Sequence, residues 1–280
     1  MATGVTVPAV RAHKVAAGRP PLVMVTAYDA PGARMVDEAG ADVVLVGDSL
    51  AMVALGHDDT LQVSVADMAH HTAAVARTSP RALVVTDMPW LSYHLDPADT
   101  VANAGLLVRA GASAVKLEGG RSRVPMVEAL VDAQIPVIGH LGLTPQSVNV
   151  MGGFKVQGRQ GEAAATLVDD ARSLVDAGVF AIVVEGVPAE VAAVVTAAVP
   201  VPTIGIGAGP HCDGQVLVLH DLLGLDDSFA PRFVRRYASF KAEGVKAVAA
   251  FAADVRSGDF PTHAESYHLL GHDEPLEGEG

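Results

Sequence analysis

The sequence predicts an α/β protein built on a (β/α)8 TIM barrel with extra C-terminal helices. Three observations predict it: short β-branched apolar runs recur along the chain, helical patterns lie between them, and glycines mark three helix-to-strand junctions. A length of 280 residues suits one such domain. An open doubly wound sheet remains the alternative, because a count of strands does not establish that the sheet closes.

Eight runs predict the strands. Five of them are apolar at consecutive positions, as expected for strands that are buried on both faces of a parallel sheet. These five cover residues 42–47, 82–86, 114–115, 136–139 and 180–184. Residues 22–26 and 203–206 fit the same series, and residues 215–219 can supply an eighth strand.

Helical patterns between these runs predict the outer layer. They cover residues 67–78, 99–109, 122–132, 162–176 and 189–198. Gly40, Gly111 and Gly178 each stand between a helical segment and the next strand. Glycine most easily takes the left-handed conformation that ends a helix. The same junction used three times indicates repeated βα units.

The predicted domain organisation has three parts. Residues 1–20 form an N-terminal extension, and residues 21–268 form a single barrel domain that carries the catalytic residues. This domain includes two C-terminal helical stretches, around residues 232–242 and 245–255. Residues 269–280 are acidic and rich in glycine, which predicts a disordered tail.

The composition excludes several classes of function. A formal net charge of −13 argues against a nucleic-acid or anionic-membrane partner. The single cysteine, Cys212, cannot form an intramolecular disulfide, which predicts a reducing, cytoplasmic location. Hydrophobic residues make up 50% of the chain and the mean hydropathy is +0.34. A chain this apolar would leave more apolar surface exposed as a monomer than soluble monomers usually do, which predicts a homo-oligomer.

Residues that can bind a metal, carry a charge or move a proton follow five of the apolar runs. They are Asp48, Asp87, the pair Lys116 and Glu118, His140, and Glu185. Parallel strands bring their carboxyl ends to one edge of the sheet, where barrel enzymes build their active sites. The pattern therefore predicts one active site that contains all of these groups.

The acidic groups and the lysine suggest a metal and an anionic substrate. Asp48 and Asp87 are hard oxygen ligands that suit Mg²⁺, although either could instead cap the following helix. Lys116 and Glu118 are two residues apart in a strand and project to the same side. The lysine could bind a substrate carboxylate, and the glutamate could bind the metal directly or through water. The alternative is an internal salt bridge.

Glu185 and His140 are candidates for moving or donating a proton. Glu185 leaves an apolar strand, so burial would raise its pKa and favour a role as general base. Alternatively, it could pair with Lys116. His140 could donate a hydrogen bond to the substrate or be a structural histidine.

Several motifs make the sequence similar to a known family. They are Val46-Gly-Asp-Ser-Leu50, Gly56-His-Asp58, Val115-Lys-Leu-Glu-Gly-Gly120, Gly139-His-Leu-Gly-Leu-Thr-Pro-Gln-Ser-Val148, Gly153-Phe-Lys-Val-Gln-Gly-Arg159, Gly205-Ile-Gly-Ala-Gly209 and His220-Asp221. In this order, over residues 21–268, they resemble ketopantoate hydroxymethyltransferase.

The resemblance implies a (β/α)8 barrel, a Mg²⁺ ion, a decamer and the first committed step of pantothenate and coenzyme A synthesis. The implied reaction transfers a one-carbon unit from 5,10-methylenetetrahydrofolate, with water, to 3-methyl-2-oxobutanoate. Its products are 2-dehydropantoate and tetrahydrofolate.

By the same resemblance, the metal ligands are Asp48, Asp87 and Glu118, and the proton acceptor is Glu185. The implied substrate contacts are Asp48, Ser49, Asp87 and Lys116, to which our reading of the residues adds His140. One departure is Gly186, where many relatives carry cysteine, and a glycine there could loosen the position of Glu185.

The predicted chemistry is an aldol-type addition through a Mg²⁺-stabilised enolate, with Glu185 removing the C3 proton. Two other functions stay open. A metal-dependent lyase for another 2-oxoacid would act without folate. A non-catalytic assembly component is the second, and the intact set of charged residues argues against it because burying such charges without a ligand is costly.

Overall fold

Eight parallel strands close into a barrel in the computed structural model, which describes residues 4–153, 155–158, 161–226 and 231–268. The strands follow one another in chain order around the barrel, and the first pairs with the last. They are β1 (Leu22–Thr26), β2 (Val43–Val46), β3 (Leu83–Asp87), β4 (Ala114–Glu118), β5 (Val137–Gly142), β6 (Ala181–Glu185), β7 (Thr203–Ile206) and β8 (Gly214–Leu217). Closure confirms the predicted barrel and rules out the open doubly wound sheet.

Helices surround the barrel. They are α1 (Val7–Arg11), α2 (Ala30–Glu38), α3 (Leu50–Val53), α4 (Val65–Ala76), α5 (Pro97–Arg109), α6 (Val124–Asp132), α7 (Val148–Met151), α8 (Gly161–Ala177), α9 (Ala189–Ala198), α10 (Leu219–Leu223) and α11 (Phe240–Ser257). Short 3₁₀ turns add Val15–Ala17, Arg121–Arg123, Pro145–Ser147 and His263–Glu265. Residues 207–213, which join β7 to β8, contain no helix. The acidic tail predicted for residues 269–280 lies outside the described part of the chain.

The strands alternate between the barrel interior and the helix layer. In β2, Val43 and Leu45 belong to the interior core, whereas Val44 and Val46 pack in the core under the helices. The two-residue period of a strand sends alternate side chains to opposite faces. Continuous apolar runs are therefore what a barrel strand requires.

Most predicted elements are confirmed, with shifts at their ends. The strand predicted at 136–139 continues to Gly142 because β5 pairs with β6 along that whole length. The predicted eighth strand extends too far, since Leu219 begins a helix and its N–H donates to Thr26 Oγ1. Gly40, Gly111 and Gly178 have φ angles of 84°, 116° and 107°, the left-handed conformation expected after a helix.

The prediction of two C-terminal helices is wrong in part. One continuous helix, α11, replaces the two predicted stretches, and residues 232–239 are not helical. None of its residues is buried. In the described part of the chain, no helix is long and apolar enough to cross a membrane.

A buried ion pair fastens the N-terminal segment to the barrel. Lys14 Nζ lies 2.6 Å from Asp213 Oδ2 and also donates to two backbone carbonyls, those of Thr196 and Val201. Asp213 accepts further hydrogen bonds from the backbone N–H groups of Val15 and Thr203. The carboxylate therefore joins the N-terminal segment to the start of β7.

Replacing Lys14 with methionine should destabilise the fold. The change leaves the Asp213 carboxylate buried without its cation, which costs roughly 3–5 kcal/mol for a fully buried pair. The Lys14 side chain is 20% exposed, so we expect a smaller loss of about 2 kcal/mol. For a chain of this size this corresponds to a midpoint of thermal unfolding lower by roughly 4–8 °C. Arg19→Met, in the same segment but exposed, is the control, and equal midpoints for both variants would contradict the proposed role of the pair.

Candidate active site

The carboxyl ends of β2 to β6 bring the predicted site residues together at one rim of the barrel. Asp87 is in register with Lys116, and Glu118 is in register with His140. Glu185 ends β6, the neighbour of β5. Lys116 and Glu118 share one face of β4, as predicted. That face is the barrel interior, since Ala114 on it belongs to the interior core and Leu117 packs in the core under the helices.

Asp48 and Asp87 are in direct contact. Both are buried, and Asp87 Oδ2 accepts a hydrogen bond of 3.1 Å from the backbone N–H of Asp48. Burial, followed by the charges of Asp87 and Glu118, raises the pKa of Asp48 well above its usual value. Burial also raises the pKa of Asp87, although Lys116 opposes that shift. The site therefore holds more carboxylate charge than its surroundings easily tolerate.

Neither aspartate caps a helix, so the capping alternative is wrong for both. Ser49 stands at the N-cap of α3, and Ser64 caps α4. The helix after β3 is capped by Asp96. Both side chains are thus left for contacts within the site.

Lys116 forms a buried ion pair, with Asp87 as its partner. Its Nζ lies 2.9 Å from Asp87 Oδ1, and both side chains are almost fully enclosed. Burial alone would lower the pKa of Lys116, but the carboxylates of Asp87, Glu118 and Asp48 outweigh it and raise the pKa. The carboxylates around Lys116 therefore favour its charged form at this rim.

His140 bridges two glutamates. Its Nδ1 lies 3.3 Å from Glu118 Oε1, and its Nε2 lies 3.2 Å from Glu185 Oε2. Burial lowers the pKa of His140, as does the charge of Lys116, but the hydrogen bonds to Glu118 and Glu185 prevail and raise it to about 9. Glu185 thus pairs with His140 rather than with Lys116, the partner considered from sequence.

Ser49 lies beside this cluster at the start of α3. Its Oγ is 2.8 Å from the hydroxyl of Tyr28, and the residue is half-buried. Gly47 permits this arrangement, because a Cβ there would stand only 2.9 Å from Ser49 Oγ. The hydroxyl of Ser49 therefore borders the site.

Sequence reasoning missed two residues that connect the site. Gln146, in the turn Pro145–Ser147, donates from Nε2 to Asp48 Oδ2 at 2.7 Å and from its backbone N–H to Glu118 Oε2 at 3.0 Å. Tyr93 donates its hydroxyl to Gln146 Oε1 and accepts from the backbone N–H of Glu118. Gln146 lies inside the motif of residues 139–148 that carries the resemblance, whereas no sequence signal singles out Tyr93.

Comparison with known proteins identifies the family. The family model for ketopantoate hydroxymethyltransferase matches residues 5–263. The chain belongs to the ketopantoate hydroxymethyltransferase family. Two relatives named as 3-methyl-2-oxobutanoate hydroxymethyltransferases are similar over most of their length. The Methylobacterium sp. protein is 59% identical over 94% of this chain and 91% of its own. A second, from Bradyrhizobium diazoefficiens, is 56% identical over 95% of this chain and 90% of its own.

Solved structures support the fold of this hydroxymethyltransferase family member. A phosphonopyruvate hydrolase, solved with oxalate and Mg²⁺, superimposes with a TM-score of 0.59 over 94% of this chain and 92% of its own. Only 15% of the aligned residues are identical. This similarity therefore concerns the barrel and carries no assignment of substrate.

The site of this ketopantoate hydroxymethyltransferase family member suits a divalent cation. Asp87 Oδ1 and Glu118 Oε1 are buried, and their partners are the side chains of Lys116 at 2.9 Å and His140 at 3.3 Å. No three acidic, histidine or cysteine side chains in the described ranges are already arranged around one metal position. Mg²⁺ usually takes one or two carboxylates and completes its shell with water and substrate. The oxygen donors are thus of the right kind for Mg²⁺.

Gly186, the residue after Glu185, is held by backbone contacts. It has a φ of 56°, where glycine carries no Cβ strain. Its N–H donates to the carbonyl of Ile206, and its own carbonyl accepts from Gln157 N–H. The backbone next to Glu185 is therefore anchored on both sides.

Proposed function

We propose that this protein transfers a one-carbon unit from 5,10-methylenetetrahydrofolate to 3-methyl-2-oxobutanoate, giving 2-dehydropantoate and tetrahydrofolate. The observation that carries the proposal is the 59% identity, over 94% of the chain, to a relative named for this activity. In the reaction, C3 of the oxoacid loses a proton and bonds to the methylene carbon. The bonds of that carbon to the folate nitrogens break, and water supplies the hydroxyl. The protons from C3 and from water end on the folate nitrogens.

In this proposal, Asp48 and Asp87 hold Mg²⁺, with Glu118 as a ligand directly or through water. Their support is the group of three buried carboxylates at one rim of the barrel, in which the charges of Asp87 and Glu118 add to burial in raising the pKa of Asp48. When bound, the ion supplies a positive charge that polarises the oxygens of the oxoacid. The raised pKa values of Asp48 and Asp87 fit this role. Burial raises both, and a bound cation would favour the charged carboxylates against that burial.

Lys116 and Ser49 orient the oxoacid. The Lys116 ammonium stays protonated at the rim and attracts the substrate carboxylate, and Asp87 holds it in place at 2.9 Å. The half-buried Ser49 hydroxyl can donate to a substrate oxygen. Both groups hold the oxoacid in a fixed orientation. A reaction between two molecules that are held in this way becomes effectively unimolecular.

Glu185 is the proposed base that takes the C3 proton. Its side chain is 15% exposed, whereas that of His140 is 2% exposed, so Glu185 remains accessible to a substrate in the barrel mouth. His140 contacts Glu185 Oε2 at 3.2 Å and orients the carboxylate. The other ring nitrogen, Nδ1, contacts Glu118 Oε1 at 3.3 Å, so His140 would give up one of these two contacts to donate to the substrate.

One experiment tests the reaction. Proton NMR follows deuterium exchange at C3 of 3-methyl-2-oxobutanoate with Mg²⁺, with and without tetrahydrofolate and formaldehyde. Metal-dependent exchange, followed by 2-dehydropantoate once both additions are present, would support the enolate step and the transfer. No exchange under any condition would rule out this oxoacid as the substrate, and turnover of another oxoacid without folate would favour the lyase alternative.

We further propose that the protein works in the cytoplasm as a homo-oligomer, a decamer by its resemblance, with residues 21–268 as the catalytic unit and 1–20 as an extension. Helix α11 supports the assembly. Val245, Val248, Phe251 and Val255 are spaced along one face and are between 48% and 68% exposed. An apolar stripe on a helix that buries none of its residues against its own barrel suits contact with another copy.

An aspartate at Val248 should weaken this assembly. A charge in the middle of the apolar stripe would have to be desolvated in an interface, which is costly. We expect Val248→Asp to shift sedimentation velocity profiles toward smaller species at micromolar concentration. Val194→Asp on α9, where Val194 is 57% exposed, is the control. Unchanged profiles for Val248→Asp would remove α11 from the proposed interface.

A further inference from the structure

The carboxamide of Gln146 is held at all its polar atoms at the centre of the site. Nε2 donates to Asp48 Oδ2 at 2.7 Å and to the carbonyl of Met88 at 3.0 Å. Oε1 accepts from the hydroxyl of Tyr93 at 2.5 Å. Gln146 is buried, with 6% of its surface exposed. Nothing in the proposed reaction uses this amide, so its contacts require another explanation.

Tyr93 determines which end of the amide faces Asp48. A tyrosine hydroxyl has one proton to donate and can also accept. That hydroxyl accepts the backbone N–H of Glu118 at 3.2 Å, and its single proton is then given to Gln146 Oε1. The NH₂ end of Gln146 must therefore face the carboxylate of Asp48.

Gln146 also reaches a second carboxylate. Its backbone N–H donates to Glu118 Oε2 at 3.0 Å. One residue thus holds one oxygen of Asp48 and one oxygen of Glu118, although these acids come from different strand ends. The other oxygen, Glu118 Oε1, is not held by Gln146, and its neighbour is His140 Nδ1 at 3.3 Å.

We infer that Gln146 is a positioning residue that holds the Asp48 and Glu118 carboxylates in place for a divalent cation. The inference rests on the metal in the proposed function. An uncharged amide suits the task because it donates to a carboxylate without competing with the cation as a lysine would. A second-sphere donor of this kind fixes the orientation of a ligand and is needed for full affinity.

The test is the affinity of the intact protein for Mn²⁺, measured by electron paramagnetic resonance of the free ion. Gln146→Met keeps the side-chain volume and the backbone N–H but removes the amide. We expect its Mn²⁺ affinity to fall about 10- to 100-fold, the range for lost supporting contacts. Because the defect lies in metal binding, kcat should return toward the wild-type value at saturating Mg²⁺, which would not occur if the active site were merely misfolded.

Tyr93→Phe provides a second variant that does not depend on the folding of the first. Without the hydroxyl, the amide loses the contact that fixes its orientation, so Mn²⁺ affinity should fall in the same direction but less. In the double variant the loss should be smaller than the sum of the two single losses, because the Tyr93 hydroxyl acts in part through the Gln146 amide. Gln215→Met, at an exposed glutamine that bonds to the Gly209 carbonyl, is the matched control.

Two outcomes would overturn the inference, and they are distinguishable. In the first, folded Gln146→Met binds Mn²⁺ with wild-type affinity, whether or not its midpoint of thermal unfolding is lower. This would show that the amide has no role in metal binding, and it would leave the proposed function intact. Absence of Mn²⁺ binding by the wild-type protein would refute the metal site of the proposed function and the role of Gln146 with it.

Discussion

Glu185→Gln should abolish deuterium exchange at C3 of 3-methyl-2-oxobutanoate while leaving Mg²⁺ binding largely intact. The amide keeps the shape of the carboxylate but cannot accept the C3 proton. A positioned general base contributes roughly 10²- to 10⁴-fold to a rate, so turnover should fall by about that factor. Exchange followed by NMR reports the proton transfer directly, before the one-carbon donor takes part.

The control for this prediction is Glu190→Gln. Glu190 lies in the first turn of α9, five residues after Glu185, and is exposed. Glu190→Gln changes the net charge by the same amount as Glu185→Gln. Equal losses of the exchange rate in both variants would therefore point to charge rather than to base catalysis. Unchanged exchange in Glu185→Gln would exclude this residue as the base, and His140, which contacts it, would be examined next.

Asp87→Asn should remove metal-dependent binding of the oxoacid. Asp87 is both a proposed metal ligand and the ion-pair partner of Lys116. Its replacement lowers the negative charge that attracts the cation and leaves Lys116 without its nearest carboxylate. We expect a loss of Mg²⁺ affinity greater than the roughly 10- to 100-fold typical of groups that only support a ligand. Calorimetric titration of the metal, with and without the oxoacid, measures it.

Asp132→Asn is the matched control, since Asp132 is an exposed residue at the end of α6. If Asp87→Asn binds the substrate as tightly as the wild-type protein, and this binding still requires metal, the assignment of Asp87 as a ligand is contradicted. Asp48→Ala should behave like Asp87→Asn, because the two aspartates are in contact and both have raised pKa values.

Local pattern was enough to predict the strands and the side on which their last residues lie. Lys116 and Glu118 share one face of β4 because side chains along a strand alternate with a period of two residues. The βα junctions at Gly40, Gly111 and Gly178 are equally local, since each depends on one residue that takes positive φ without strain. The prediction for the C-terminal region was less accurate. Helix α11 buries no residues against its own barrel, so its sequence lacks the apolar pattern that such packing produces.

The sequence could not predict which side chains contact each other when they come from different strand ends. The capping and pairing alternatives for Asp48 and Glu185 could not be separated from composition, because Gln146 and His140 reach them from another strand end. Tyr93 carries no local signal at all, since its role depends on a hydroxyl that lies between Glu118 and Gln146.

The sequence by itself determined the fold class, the strand ends that carry chemistry, and a family resemblance that the comparison with relatives bears out. Only the tertiary structure decided that the sheet closes, that Asp87 rather than Glu118 pairs with Lys116, and that His140 joins Glu118 to Glu185. The physical reason is the separation along the chain over which each effect acts. Propensity and periodicity act between residues a few positions apart, whereas closure and buried charge pairing depend on distances between residues far apart in the chain.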